Sequence, residues 1–512
     1  MSCATGDLLV SAEARVSDKN RVLDSLSKAA SEIRSKLGES LASVRTNDTP
    51  LIQAATPSLE ALKEYNLGFQ RIVRRNDDEG AVPFLQRAIQ LDPKFAMAYC
   101  MLGVAYRNIG EGDLAFKNLR RAYELREGLS EEEKLTVQSF YFDWAVGDLE
   151  KAQKSLDQEV QVRPLEWGPH NLLSAIYADF GQYQKALAET LESLRLNPDN
   201  PIDRANLVLR SVFVNRFEDA RKAADDAKTR GLDSARLRRN LYWLSFAQND
   251  SQGMAEELEW SRGMLGIGHL LLDIQAGTEA YFGRLGKARA LSRRAVDSAL
   301  REGEKMVAAE YETEAALREA LLGNSTEARR RLLTLVGHSR PANGGEGFDH
   351  YTAALAMAYV GDEKGTQGIA DELSNRFPEN TVTQLVFVPT LRAKLAINRN
   401  QPVKALDFLE AATPFEFDDN TFPVYIRGEA YLAARRGGDA VVEFRKILDH
   451  KQIVLNDLTG ALAQLQLGRA YVIQGDRAKA KAAYQDFLVL WKDADPDIPI
   501  YKQAKAEYAK LQ

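Results

Sequence analysis

The feature that most constrains this chain is a residue spacing that returns along its 512 positions. Residues 96–127 carry Tyr99, Leu102, Gly103, Tyr106, Gly110, Ala115 and Ala122. Gly103 and Ala115 are small where two antiparallel helices must cross, and Tyr106 fills the groove toward the next helix. Gly110 supplies the left-handed residue that ends the first helix of the pair. Leu67, Gly68, Ala81, Ala88 and Pro93 repeat the pattern upstream, with one extra residue in the turn. Gly147, Ala152 and Pro164 follow, then Leu173, Tyr177, Gly181, Ala186 and Pro198. Two further copies lie near the end: Tyr425, Gly428, Tyr431, Ala440 and Phe444, and Leu467, Gly468, Tyr471, Gly475, Ala480 and Tyr484. Copies centred on Ala220, Ala288, Ala328, Thr366 and Ala405 are degenerate, and the one near Ala255 is the weakest. Pro93, Pro164, Pro198 and Pro378 predict helix ends, since proline cannot continue a helix but suits a first turn. One such unit cannot bury its apolar face alone, so the repeat predicts a stacked array of helix pairs.

The spacing resembles the tetratricopeptide repeat. That resemblance implies an all-α fold, a right-handed superhelical solenoid of about twelve helix pairs over residues 59–512. Composition agrees, because alanine, leucine, glutamate, arginine and lysine dominate and prolines number only 16. The irregular stretch Ser339–Gly347 reads as a loop and hinge between an N-terminal array, 51–338, and a C-terminal array, 348–512.

Residues 1–50 do not carry the repeat. Residues 7–15 alternate like a strand, and 19–44 read as an amphipathic helix with Val22, Leu23, Leu26, Ala29, Ile33, Leu37 and Leu41 on one face. A lone strand is unstable in water, so it reads as the remnant of another domain. The helix is expected to cap the apolar patch of the first repeat: Tyr65, Phe69, Ile72 and Val73. Residues 36–68 and 475–512 also resemble the repeat regions of acidobacterial serine/threonine kinases that end in tetratricopeptide arrays. In that family the kinase lies upstream, so the resemblance implies the regulatory part of a signalling protein. Two other origins fit such an array: a serine/threonine kinase whose catalytic domain lies upstream or is lost, and a transcriptional regulator.

The chain itself offers no catalytic set. Asp179-Phe180-Gly181 spells a kinase metal-binding loop, but the glycine-rich loop and the HRD-x4-N motif that chemistry needs are absent, and Gly181 fits a repeat turn. Gly263, Gly266 and Gly268 follow no strand, which leaves a flexible turn rather than a phosphate cradle. His170, His269, His338, His350 and His450 show no paired ligand spacing, so no metal and no cofactor is expected. Cys3 and Cys100 are far apart, and Cys100 reads as a packing residue. A net charge of -6 argues against nucleic acid as a partner. The arginines at 236, 238 and 239 and at 329, 330 and 331 are expected to be solvated or paired with glutamates. No run approaches a membrane span, and a cytoplasmic setting is expected, or an extracytoplasmic one if the array belongs to a membrane-anchored receptor kinase.

The expected function is a non-catalytic scaffold that holds a peptide or protein partner. In the register of the repeat, the first helix of each pair lines the binding groove. The candidate contacts are Tyr65, Phe69, Arg107, Asn108, Asn171, Asp179, Tyr425, Glu429 and Arg469.

Overall fold

The computed structural model describes residues 10–13, 16, 22–37, 56–75, 77–264, 266–335, 348–417 and 421–512. Among them there is no strand. Among the described residues, twelve antiparallel helix pairs run from Leu59 to Leu490, and a last helix, Pro499–Ala509, follows. The first helix of a pair is called A below and the second B.

The crossing of A and B follows one register. A Cβ added at Gly103 would stand 2.6 Å from Leu119 Cγ, and one at Gly68 2.7 Å from Leu85 Cγ. At Gly428 it would meet the Phe444 ring at 2.5 Å, and at Gly468 the Tyr484 ring at 2.9 Å. Helix A therefore presents a bare backbone on which a large side chain of helix B rests. Gly→Ala inside a helix ordinarily gains about 1 kcal/mol. At position 103 overpacking reverses the sign: Gly103→Ala should cost about 1–3 kcal/mol, read as a lower urea midpoint.

The A–B turns explain why several copies look degenerate. Residues 147, 181, 215, 249 and 283 all have positive φ and stand 34 apart, but 215 and 249 are asparagines. Asparagine tolerates the left-handed region, so the turn survives without its glycine. The five degenerate centres Ala220, Ala288, Ala328, Thr366 and Ala405 are all buried. Ala255 is exposed, and its short helix, Ser251–Trp260, packs through Met254 and Leu258 instead. Helices B end at Leu91, Val162, Leu196 and Arg376, two residues before Pro93, Pro164, Pro198 and Pro378.

The helices sort into two compact units, one up to Pro164 and one from Leu165 onward. The first holds three pairs: Leu59–Gln70 with Asp78–Leu91, Ala96–Asn108 with Gly112–Glu124, and Glu131–Phe140 with Leu149–Val162. Cys100 is fully buried in it, as a packing residue. The second holds nine pairs, and its late repeats bond to its early and middle ones. Trp491 Nε1 donates to the Tyr281 carbonyl at 2.9 Å, and the Asp495 amide to that of Gly283 at 3.0 Å. Tyr183 donates its hydroxyl to the Phe417 carbonyl.

Three expectations meet the structure differently. Val10–Glu13 is not a strand, and the rest of the 7–15 segment lies outside the described residues. Helix Val22–Lys36 forms within the expected 19–44, but Leu26 is 48% exposed, and Phe69 and Val73 remain exposed as well. Among the described side chains, Leu26 on the helix, Leu37 just past its end, and Phe69 and Val73 on the patch are therefore not covered as a cap would require. The segment 339–347 lies outside the described residues, while the helices beside it, Ser325–Leu335 and Phe348–Tyr359, both pack within the second unit.

Candidate functional site

In the second unit, helices A of successive pairs line one cavity of about 550 Å³. Asp179, Arg210, Arg236, Arg239, Trp243, Asp273, Glu314 and Arg318 are on its wall, all from helices A. The cavity lies on the helix A face, and it is partly filled from within. Helix B Gly437–Asp449 does not turn directly into Leu458–Gln474; residues 450–457 intervene. Leu455, at φ 51°, is 7% exposed in an apolar cluster with Val208, Val212, Phe213, Leu237 and Leu241. Asn456 Nδ2 donates to the Ile274 carbonyl at 2.9 Å and to Thr278 Oγ1 at 3.0 Å. This segment replaces water on the helix A wall with apolar side chains and two hydrogen bonds, which leaves a small cavity rather than an open channel.

The cavity is divided by charge. On one side Arg318 donates to Asp273 at 2.9 Å, to Glu314 at 2.7 Å and to Ser292 Oγ at 3.0 Å. Burial works against the Arg318 charge, but Asp273 and Glu314 outweigh it and hold its pKa above the usual value. Burial and the nearby Asp273 charge push the Glu314 carboxyl well up.

On the other side stand Arg236, Arg239 and Trp243. Arg239 lies over the Trp243 ring, 4.9 Å from its centroid, and bonds Asn240 Oδ1 at 3.3 Å. Loss of water, and then the charges of Arg236 and Arg210, bring the Arg239 pKa down to about 10. Loss of water lowers Arg236 as well. Trp243 Nε1 is buried and has no acceptor among the described residues. Arg238 pairs with Asp233 and Glu257, as expected of it. Arg330 and Arg331 likewise pair, with Glu327 and Glu312. Arg236 and Arg239 differ because their positions on the helix, three apart, aim both at the groove.

Of the candidate contacts read from sequence, Asp179 lines this cavity. Asn171 is used between repeats, donating to Asp203 at 2.6 Å. Tyr425 is 1% exposed, and its hydroxyl accepts from Gln466 at 3.0 Å, so it is core. Glu429 accepts from Lys394 at 2.8 Å, and Arg469 donates both arms to Glu507. Neither is left for a partner. In the first unit Tyr65 packs on Phe95, with ring centroids 4.9 Å apart, while Phe69 stays exposed. Asn108 donates to Asp78 at 3.0 Å. Burial lowers the Arg107 pKa, and Asp143 opposes that shift. Asp143 itself is pushed up to about 7 by burial, against the pull of Arg107.

Residues 96–128 match the tetratricopeptide repeat family. No curated protein sequence matches the chain. Solved structures with similar helical architecture include that of Pseudomonas aeruginosa pilF, 21% identical over 40% of this chain and 93% of that one, with a TM-score of 0.31. Yeast Tom70 is 13% identical over 88% of this chain and 95% of its own, with a TM-score of 0.33. The APC/C hetero-tetramer Cut9-Hcn1 is 13% identical over 96% and 94%, with a TM-score of 0.42. The chain is an all-α array of tetratricopeptide-like helix pairs. Among the described residues no helix is long and apolar enough to cross a membrane.

Proposed function

We propose that this chain is a non-catalytic interaction scaffold whose second unit holds a short acidic peptide segment of a protein partner. The observation that carries the reading is the donor side of the helix A cavity: Arg236, Arg239 and the unpartnered Trp243 Nε1. Like charges held together away from water are unfavourable, and an anion relieves them while satisfying the indole donor. A cavity of about 550 Å³ takes a few side chains and no folded domain. The resemblance to kinase-linked arrays supports placing such a scaffold in the regulatory part of a signalling protein.

The test is fluorescence anisotropy with a labelled glutamate-rich peptide and a lysine-rich control. Saturable binding of the acidic peptide alone is expected, weakened at least about tenfold in Arg236→Gln/Arg239→Gln with unchanged circular dichroism. Absence of binding, or equal affinity in the double variant, overturns the reading.

A further inference from the structure

A second polar cluster lies apart from the groove, where three helix ends meet. His269 is in the first turn of Gly268–Tyr281, Glu302 follows the end of Leu285–Arg301, and Glu304 precedes Lys305–Leu321. One ligand-type atom from each comes within 4.8 Å of the others. His269 Nε2 is 3.2 Å from a Glu304 oxygen and 3.9 Å from a Glu302 oxygen.

The surroundings prepare these groups. His269 is 3% exposed, and its Nδ1 is 2.8 Å from the Tyr311 hydroxyl. When Nδ1–H donates to Tyr311, the lone pair of the ring is on Nε2, which is buried and makes no hydrogen bond among the described residues. A partner on the far nitrogen is how metal-binding histidines are oriented. Glu302 is held on both oxygens, by Ser298 Oγ at 3.1 Å and by the Gly266 amide. Gly266 has φ 72°, a left-handed conformation that glycine adopts without strain. In that tautomer a buried lone pair faces two carboxylates, a set that a cation at its centre would complete. Ligands about 2.0–2.2 Å from a tetrahedral ion stand about 3.3 Å apart. The 3.2 Å separation fits, and the 3.9 Å one closes with a shift of under about 1 Å. Glu302, Ser298 and Gly268 also line a cavity of about 950 Å³, which gives a hydrated cation a way in.

We propose that His269, Glu302 and Glu304 form a binding site for a borderline divalent metal ion, with zinc the best fit to one imidazole and two carboxylates. Sequence spacing conceals it, because Glu302 and Glu304 share one turn but His269 precedes it by a whole helix and reaches it only through the fold.

The test uses untagged full-length chain, stripped with EDTA and titrated with zinc chloride in a calorimeter. One site per chain is expected. His269→Gln and Glu304→Gln should each weaken it about 10–100-fold, and magnesium chloride should not displace zinc. Glu304 is partly exposed, so its variant keeps the test valid if the histidine variant fails to fold. Lack of saturable zinc binding overturns the proposal and leaves a histidine–carboxylate pair. Unchanged affinity in Glu304→Gln, or displacement by magnesium, overturns it equally.

Discussion

Trp491→Ala should lower the unfolding free energy of the second unit by about 3–5 kcal/mol, the usual cost of emptying a buried aromatic site. Trp491 is fully buried against Phe487 and Tyr501, with ring centroids 4.7 and 5.7 Å away. Its indole N–H reaches the Tyr281 carbonyl, 210 residues back in sequence. The site cannot readily collapse, because a Cβ on Gly283 would already lie 2.8 Å from the indole. The residue thus ties the last repeats to the fourth pair of the unit, and its loss removes both packing and that link. Trp491→Phe keeps most of the apolar contact and gives up the hydrogen bond, so it should cost only about 1–2 kcal/mol. Urea denaturation monitored by circular dichroism separates the two. Equal, small effects would mean that the late repeats do not depend on this contact.

Arg318→Met is the second large effect, expected at about 3–5 kcal/mol. The guanidinium is buried and satisfies Asp273, Glu314 and Ser292 together. Removing it leaves Asp273, whose side chain is 9% exposed, as an uncompensated buried anion. Replacing Arg318 and Asp273 together by apolar residues of similar volume should cost much less than the sum of the single changes. Glu314 behaves in the opposite sense. Its carboxyl is held well above the usual range by burial and by Asp273, so the native state binds a proton more readily than the unfolded chain. That contribution is present at acid pH and lost as pH rises through the raised native pKa. Glu314→Gln, neutral throughout, should flatten this decline rather than destabilise. A steeper decline in the variant would refute the assignment.

How much was legible in the sequence differs by residue. Gly68, Gly103, Gly428 and Gly468 announce the helix crossings because only hydrogen leaves room for the facing side chain. Turns at Asn215, Asn249 and Asn400 weakened the pattern of their copies, since asparagine reaches the left-handed region without the glycine signature. Period alone puts the candidate contacts on helices A, and of them Asp179 lines the cavity of the second unit. Tyr425, Glu429 and Arg469 share that register but find partners within the fold at Gln466, Lys394 and Glu507. Nothing local distinguishes a groove residue from one met by another repeat.

By itself the sequence determined the helix pairs, their crossing register and their proline-marked ends, because these depend on residues within about 20 positions of one another. Only the tertiary structure decided what each helix A faces. The 450–457 segment enters the groove, the Trp491 region returns to the turn at Gly283, and His269 meets Glu302 and Glu304, all through contacts that helix stacking brings together across tens to hundreds of residues. Such contacts depend on how repeats accumulate in space, and a spacing pattern carries no record of that sum.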